Sequence, residues 1–222
     1  MNKEQEEWIP HVNSEGEGQA QRMFGSARRA AAFYRNQMTN ELNEKMQSFI
    51  ARQEMVFLST ANAKRECDCS YRAGTAGFVR VLNAGMLAYP EYRGNGVMAS
   101  VGNILENPQI GLMFIDFFQS TVGLHVNGKA SVVTNEDVAA MPGIPESMLE
   151  ASRMKGGQHP ECWVIVEVQE AYIHCSKHVP RMKKVEKELH WGTDDEFHKG
   201  GDFFSFNPAN HTPIRLKDRN SP

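Results

Sequence analysis

AYPEYRGNGVMASVGNILENPQIGLMF, residues 88–114, sets a strand, a loop, a helix and a second strand side by side. A short apolar run reaches Ala88, and Tyr89 to Gly96 reads as a polar, glycine-containing loop. Ala99 to Glu106 reads as a short helix stopped by Pro108, and Ile110 to Phe118 as a buried strand. Such a stretch has the parts of an anion cradle. The helix start offers unpaired N–H groups, Arg93 a charged donor, and Gly94 and Gly96 room for a ligand. Ser100 and Asn103, three apart, share one helix face and add donors. An ordinary turn has the same composition, so spacing leaves both readings open.

Strand patterns dominate on either side. Met55 to Thr60 is apolar and β-prone, Asn62 to Glu66 is a polar turn, and CDCSY returns as a strand. Phe78 to Leu82 and Met86 to Tyr89 make a hairpin around Asn83-Ala84-Gly85. Leu124 to Thr134 is a further strand, with Asn127-Gly128 as a bulge or a turn. Helix starts fall at Asn135 and Pro145, and Cys162 to Tyr172 is the last long strand. Residues 19–53 are rich in helix formers. Met38, Leu42, Met46, Phe49 and Ile50 fall at helical spacing, which predicts one or two amphipathic helices. Strands following strands predict a mainly β, antiparallel sheet of six or seven strands that closes into a barrel. The organisation expected is a lead-in with packing helices over 1–53, a barrel domain over 54–191 and a polar tail over 192–222.

The chain has 222 residues and a formal net charge of -3, from 24 basic and 27 acidic side chains. That balance argues against a nucleic-acid partner, which calls for a clustered basic excess. No apolar run approaches the roughly 18–20 residues of a membrane span. The polar, acidic start is not a secretory signal, so a cytoplasmic location is expected. The four cysteines, Cys67, Cys69, Cys162 and Cys175, lack zinc spacing and read as free thiols; no metal site is expected.

Two further stretches carry candidates. In CSYRAGTAGFVRV, Ser70 and Arg72 lie two apart on a strand and point to one side. In HCSK, Lys177 is a phosphate or ring contact, or a surface lysine. Cys175 beside His174 shows no readable base to activate it, and His125 and His174 leave haem ligation open. No catalytic residue is assigned.

FLSTA (57–61), SYRAGTAGFVRVL (70–82), MLAYPEYRGN (86–95), SVGNILENPQIGLMF (100–114), LHVNGKASV (124–132) and YIHCSKHVPRMK (172–183) stand in this order. Together they resemble the pyridoxamine 5′-phosphate oxidase-like family of FMN-binding split β-barrels, in the subgroup with an "SPRG…PGFv" strand pair and an "hCpK" block. EGEGQAQ (15–21) resembles that subgroup's lead-in. The resemblance implies a six-stranded antiparallel split barrel, a homodimer with flavin at the subunit interface, and FMN as cofactor, with the deazaflavin F420 as the alternative. It implies hydride transfer between a nicotinamide and a small organic acceptor or oxygen, or else a non-catalytic flavin-binding, haem-binding or interaction protein. Carried over by position, Arg72 grips the phosphate, supported by Ser70. Tyr89, Pro90 and Glu91 line the ring or ribityl chain, and Arg93, Asn95, Ser100, Asn103 and Lys177 complete the set. Two positions where the resemblance leads one to expect arginine hold Gly96 and Val97 here, and the oxidase's Arg-x-His substrate motif is missing. Phe114, Phe117, Phe118 and the helices of 19–53 are the surface expected to pair two subunits.

Overall fold

A computed structural model of the chain describes residues 14–195, 197, 198 and 204. Most of the lead-in, and Glu196, Phe203 and Phe206 of the tail, lie outside the described residues. Helices α1 (Glu15–Met23) and α2 (Ala27–Gln37) come first, then a two-residue strand β1 (Met38–Thr39) and helix α3 (Glu44–Ile50). The strands β2 (Met55–Ala61), β3 (Cys67–Ala73), β4 (Arg80–Asn83) and β5 (Met86–Tyr92) follow. Helix α4 (Ala99–Glu106) leads to β6 (Gln109–Ile115) and β7 (Gly123–Val133). A helical pair, α5 (Asn135–Ala140) and α6 (Glu146–Arg153), precedes the long β8 (Pro160–His174).

The eight strands form one antiparallel sheet in the order β3-β2-β6-β7-β8-β5-β4, with β1 added to β8. This is the split-barrel architecture, with β1 and the short β4 raising the strand count above six. The sheet curls until its ends approach. Arg72 of β3 and Glu91 of β5 meet at 2.9 Å, although β3 opens the order and β5 stands next to its far end.

Alternation explains the two cores. Val56 and Leu58 of β2, Leu112 and Phe114 of β6, Val126 of β7 and Val164 and Val166 of β8 fill the barrel interior, with Ile50 of α3 and Ile104 of α4. Ala88, Trp163 and Ile165 face the other way and pack under Val138 of α5 and Met148 of α6. The Trp163 indole donates to the Ser152 hydroxyl at 2.8 Å, so the ring is buried without an orphaned donor.

Local chemistry sets the boundaries. Asn43 caps α3 by accepting from the Met46 N–H at 3.0 Å, and Thr134 caps α5 from the Asp137 N–H at 3.1 Å. Asn127-Gly128 is a bulge: Asn127 pairs with Glu170 but Gly128 with Val168, leaving Gln169 extra. A side chain at Gly128 would place its Cβ 2.0 Å from the Glu167 carbonyl oxygen, so only glycine fits.

Three expectations change. Residues 19–53 hold parts of three helices, α1 and α2 bury no residue, and Met38 belongs to β1. Tyr89, Pro90 and Glu91 are not loop, because β5 runs on to Tyr92. Pairing with β4 ends at Arg80↔Ala88, while Pro90 pairs with Trp163 on the β8 side. A proline there lies beyond the reach of β4, so its missing N–H breaks no ladder. Phe114 is fully buried inside this chain, which removes it from any subunit interface.

Candidate functional site

The inward side of β3 carries Asp68, Ser70 and Arg72, since every second residue of a strand shares a face. Helix α4 lies across it. The buried Ser100, in the first turn of α4, donates its hydroxyl to Asp68 at 3.3 Å and lies 3.2 Å from the Ser70 hydroxyl. Ser70 donates to the same Asp68 oxygen at 2.8 Å. The Asp68 carboxylate therefore sits at the N-terminal end of α4, where the helix dipole favours negative charge. Met98, the residue before α4, has left-handed backbone (φ 54) and makes no side-chain cap.

Beside this cluster stands the Arg72–Glu91 pair. Arg72 Nε donates to Glu91 at 2.9 Å and Nη1 to the Tyr71 carbonyl at 3.0 Å. The two side chains are 19% and 9% exposed. Burial raises the Glu91 pKa; the hydrogen bond and charge of Arg72 pull it back only in part, and Glu161 pushes it up further. Tyr89, on the same face of β5, is fully buried, and its hydroxyl has no partner among the described residues. Burial, then Glu91, raises its pKa, while Arg72 lowers it, which places the hydroxyl within the field of the pair. The Cys162 thiol, buried opposite Glu91 on β8, is pushed up to about 11, first by burial and then by Glu91.

The other predicted residues are dispersed. Pro90 is on the opposite face of β5 from Tyr89 and Glu91. Arg93 is exposed and pairs with Asp194 at 2.7 Å. Exposed Asn95 accepts from the Val97 N–H at 3.0 Å, a contact within its own loop. Asn103 donates to Thr60 at 3.0 Å, tying α4 to β2. Lys177 is exposed on a single 3-10 turn, Ser176–His178. Sequence reasoning missed Asp68, although the alternation that aligned Ser70 with Arg72 also aligns Asp68.

Away from this junction, His125 Nε2 and His174 Nδ1 meet at 3.0 Å, and the His125 ring stacks on Tyr172 with centroids 4.6 Å apart. Burial and then His174 lower the His125 pKa. The contact uses one nitrogen of each ring and leaves His125 Nδ1 and His174 Nε2 outside it. An open groove of about 690 Å³, lined by Ser59, Thr60, Cys67, Asn127 and Glu170 among others, includes none of the predicted site residues.

The family model for pyridoxamine 5′-phosphate oxidase matches residues 42–175, more than half of the 222. The chain belongs to that family. The match runs through every element of the junction, from β3 to β5 and α4. No curated protein matches the chain. Among solved structures, a pyridoxamine 5′-phosphate oxidase-like protein from Lactobacillus delbrueckii is 20% identical, covering 60% of this chain and 95% of that one at a TM-score of 0.44. An FMN-binding protein from Syntrophomonas wolfei is 15% identical, covering 68% and 96% at 0.43. HupZ from Group A Streptococcus is 19% identical, covering 64% and 98% at 0.43. Likenesses this distant add nothing to the family match.

A flavin mononucleotide in this family's barrel needs a cationic grip for its phosphate. The donors of the junction itself are already engaged within the chain. Arg72 is committed to Glu91, and the hydroxyls of Ser70 and Ser100 to Asp68. Gly96 and Val97 carry no charge. Among the described residues, the Tyr89 hydroxyl of the junction and Arg80 Nε on the neighbouring β4 are buried polar atoms without a partner.

Proposed function

We propose that this chain is a flavin-binding member of the pyridoxamine 5′-phosphate oxidase family. The observation that carries the reading is the convergence of β3, β5 and α4. They bring Ser70, Arg72, Tyr89, Glu91 and Ser100 to one polar junction inside the matched region. We further propose a homodimer, with the ligand between subunits. The outer face of β3 supports it: Tyr71 is half exposed and its ring lies 5.6 Å from Phe57, an aromatic pair open to a second copy.

A flavin oxidoreductase that works with a nicotinamide donor is the second reading, and it draws on family membership. Its place in the cytoplasm is likewise proposed; among the described residues no helix is long and apolar enough to cross a membrane. An absorption spectrum of the purified protein, with flavin added and then NADH or NADPH under nitrogen, tests both readings. A shifted flavin band supports binding, and bleaching by the nicotinamide adds turnover. A titration in which the flavin spectrum never changes would reject both.

A further inference from the structure

We infer that His125 and His174 form a two-imidazole binding site for a divalent transition-metal cation of the zinc, nickel and copper group. The site stands apart from the junction of β3, β5 and α4 and does not depend on the flavin reading.

Strand register makes the pair. His125 of β7 stands opposite Tyr172 of β8. Residues 172 and 174 share a face of β8, so His174 is the diagonal neighbour of His125 on one side of the sheet. Residue 123, opposite His174, is glycine; a Cβ there would lie 2.8 Å from His174 Cβ and crowd the root of the ring. His125 Nε2 and His174 Nδ1 come within 3.0 Å of each other, with the ring planes 48° apart. Both residues are half-buried, and the His125 ring is held by its stack on Tyr172, 15° from parallel. Glu170, on the same face of β8, adds negative charge to this side of the sheet and is held by Asn127 at 2.6 Å.

The spacing is the one a shared cation demands. Ring nitrogens bind such a cation at about 2.0–2.1 Å, which sets two of them about 2.9 Å apart in a square plane and about 3.4 Å apart at a tetrahedral angle. A neutral imidazole has one lone-pair nitrogen and one N–H. With the cation between the rings, the protons stand on His125 Nδ1 and His174 Nε2, the two nitrogens outside the contact. A second close pair shows what is needed. His190 and His198 stack with centroids 3.7 Å apart and planes 27° apart. Ring lone pairs lie in the ring plane, so stacked rings aim them side by side and not at one cation. Among the described residues no group of three or more His, Cys, Asp or Glu side chains could hold a metal, so water fills the remaining positions on a cation held by His125 and His174.

Zinc titrations, followed by nitrogen-15 NMR of the histidine rings and by calorimetry, test the site on the full chain and on His125→Ala, His174→Gln and His190→Ala. Calcium, which takes oxygen ligands, is the control cation. Circular dichroism reports the folding of each variant. His174→Gln keeps a hydrogen-bonding partner for His125 and stands in should His125→Ala fail to fold. Zinc is expected to shift His125 Nε2 and His174 Nδ1 in the wild type, and calcium to shift neither. His125→Ala and His174→Gln are each expected to lose zinc affinity by about tenfold or more, and His190→Ala to keep it. Wild-type nitrogens that do not respond to zinc, the same response to calcium, or variants of the pair that bind zinc as the wild type does would overturn the site. Zinc bound in those variants would belong to the exposed thiols or to the stacked histidines.

Discussion

Arg72 and Arg93 make ion pairs of nearly the same length, 2.9 Å to Glu91 and 2.7 Å to Asp194. Their surroundings differ. The first pair is 19% and 9% exposed, the second 53% and 67%. Distance alone therefore says little about what each pair does. In the barrel interior water cannot replace a lost partner, so each member of the first pair is held by the other. On the surface both members of the second are solvated, and the contact is worth at most about 1 kcal/mol. An arginine available to an incoming ligand is one whose present partner is easily given up. By that standard the surface arginine is free but far from enclosure, and the enclosed one is already taken.

The contrast can be pushed hardest at Arg72. Arg72→Ala strands Glu91 as a buried charge and is expected to cost about 3 kcal/mol in urea unfolding at neutral pH. The deficit should shrink on acidification. Burial raises the Glu91 pKa in the folded state above its unfolded value, so the folded variant takes up a proton more readily. Stability is then recovered as pH falls through the folded pKa and lost as pH rises through it. A deficit that stays constant with pH would mean that Glu91 is solvated in the variant.

A smaller effect of opposite sign is expected next door. Tyr89→Phe removes a buried hydroxyl that has no partner among the described residues. The protein should gain about 1 kcal/mol. A loss of stability would show that the hydroxyl is paired. The least effect is expected at the surface: Arg93→Ala should change stability by no more than about 0.5 kcal/mol, and any change should vanish in high salt.

Legibility in the sequence follows the same divide. Helix α4 falls on the expected residues, Ala99 to Glu106, because Asn107-Pro108 ends it and Val101 and Ile104 give it one apolar side. The strands of the core are readable from alternation, as in Val56 and Leu58 or Val164 and Val166. The end of β5 was not readable. Pro90 looks like a breaker until its position beyond β4 is known. Glu91 was named for the site, but its burial and its pairing with Arg72 were hidden, since a glutamate is rarely buried and only the fold supplies the arginine that makes it so. Asp68 stands between two exposed cysteines and discloses its role only when α4 brings Ser100 to it. Pattern thus yields what repeats along the chain. The site depends on pairs 19 and 32 residues apart, which no local period encodes.

The most direct test is a pair of double-mutant cycles in urea unfolding at neutral pH, one on Arg72 and Glu91 and the other on Arg93 and Asp194. The account predicts a coupling of about 2 kcal/mol for the interior pair and no more than about 0.5 kcal/mol for the surface pair. Equal couplings, or an interior coupling near zero, would contradict it: Arg72 would then be free to take a phosphate.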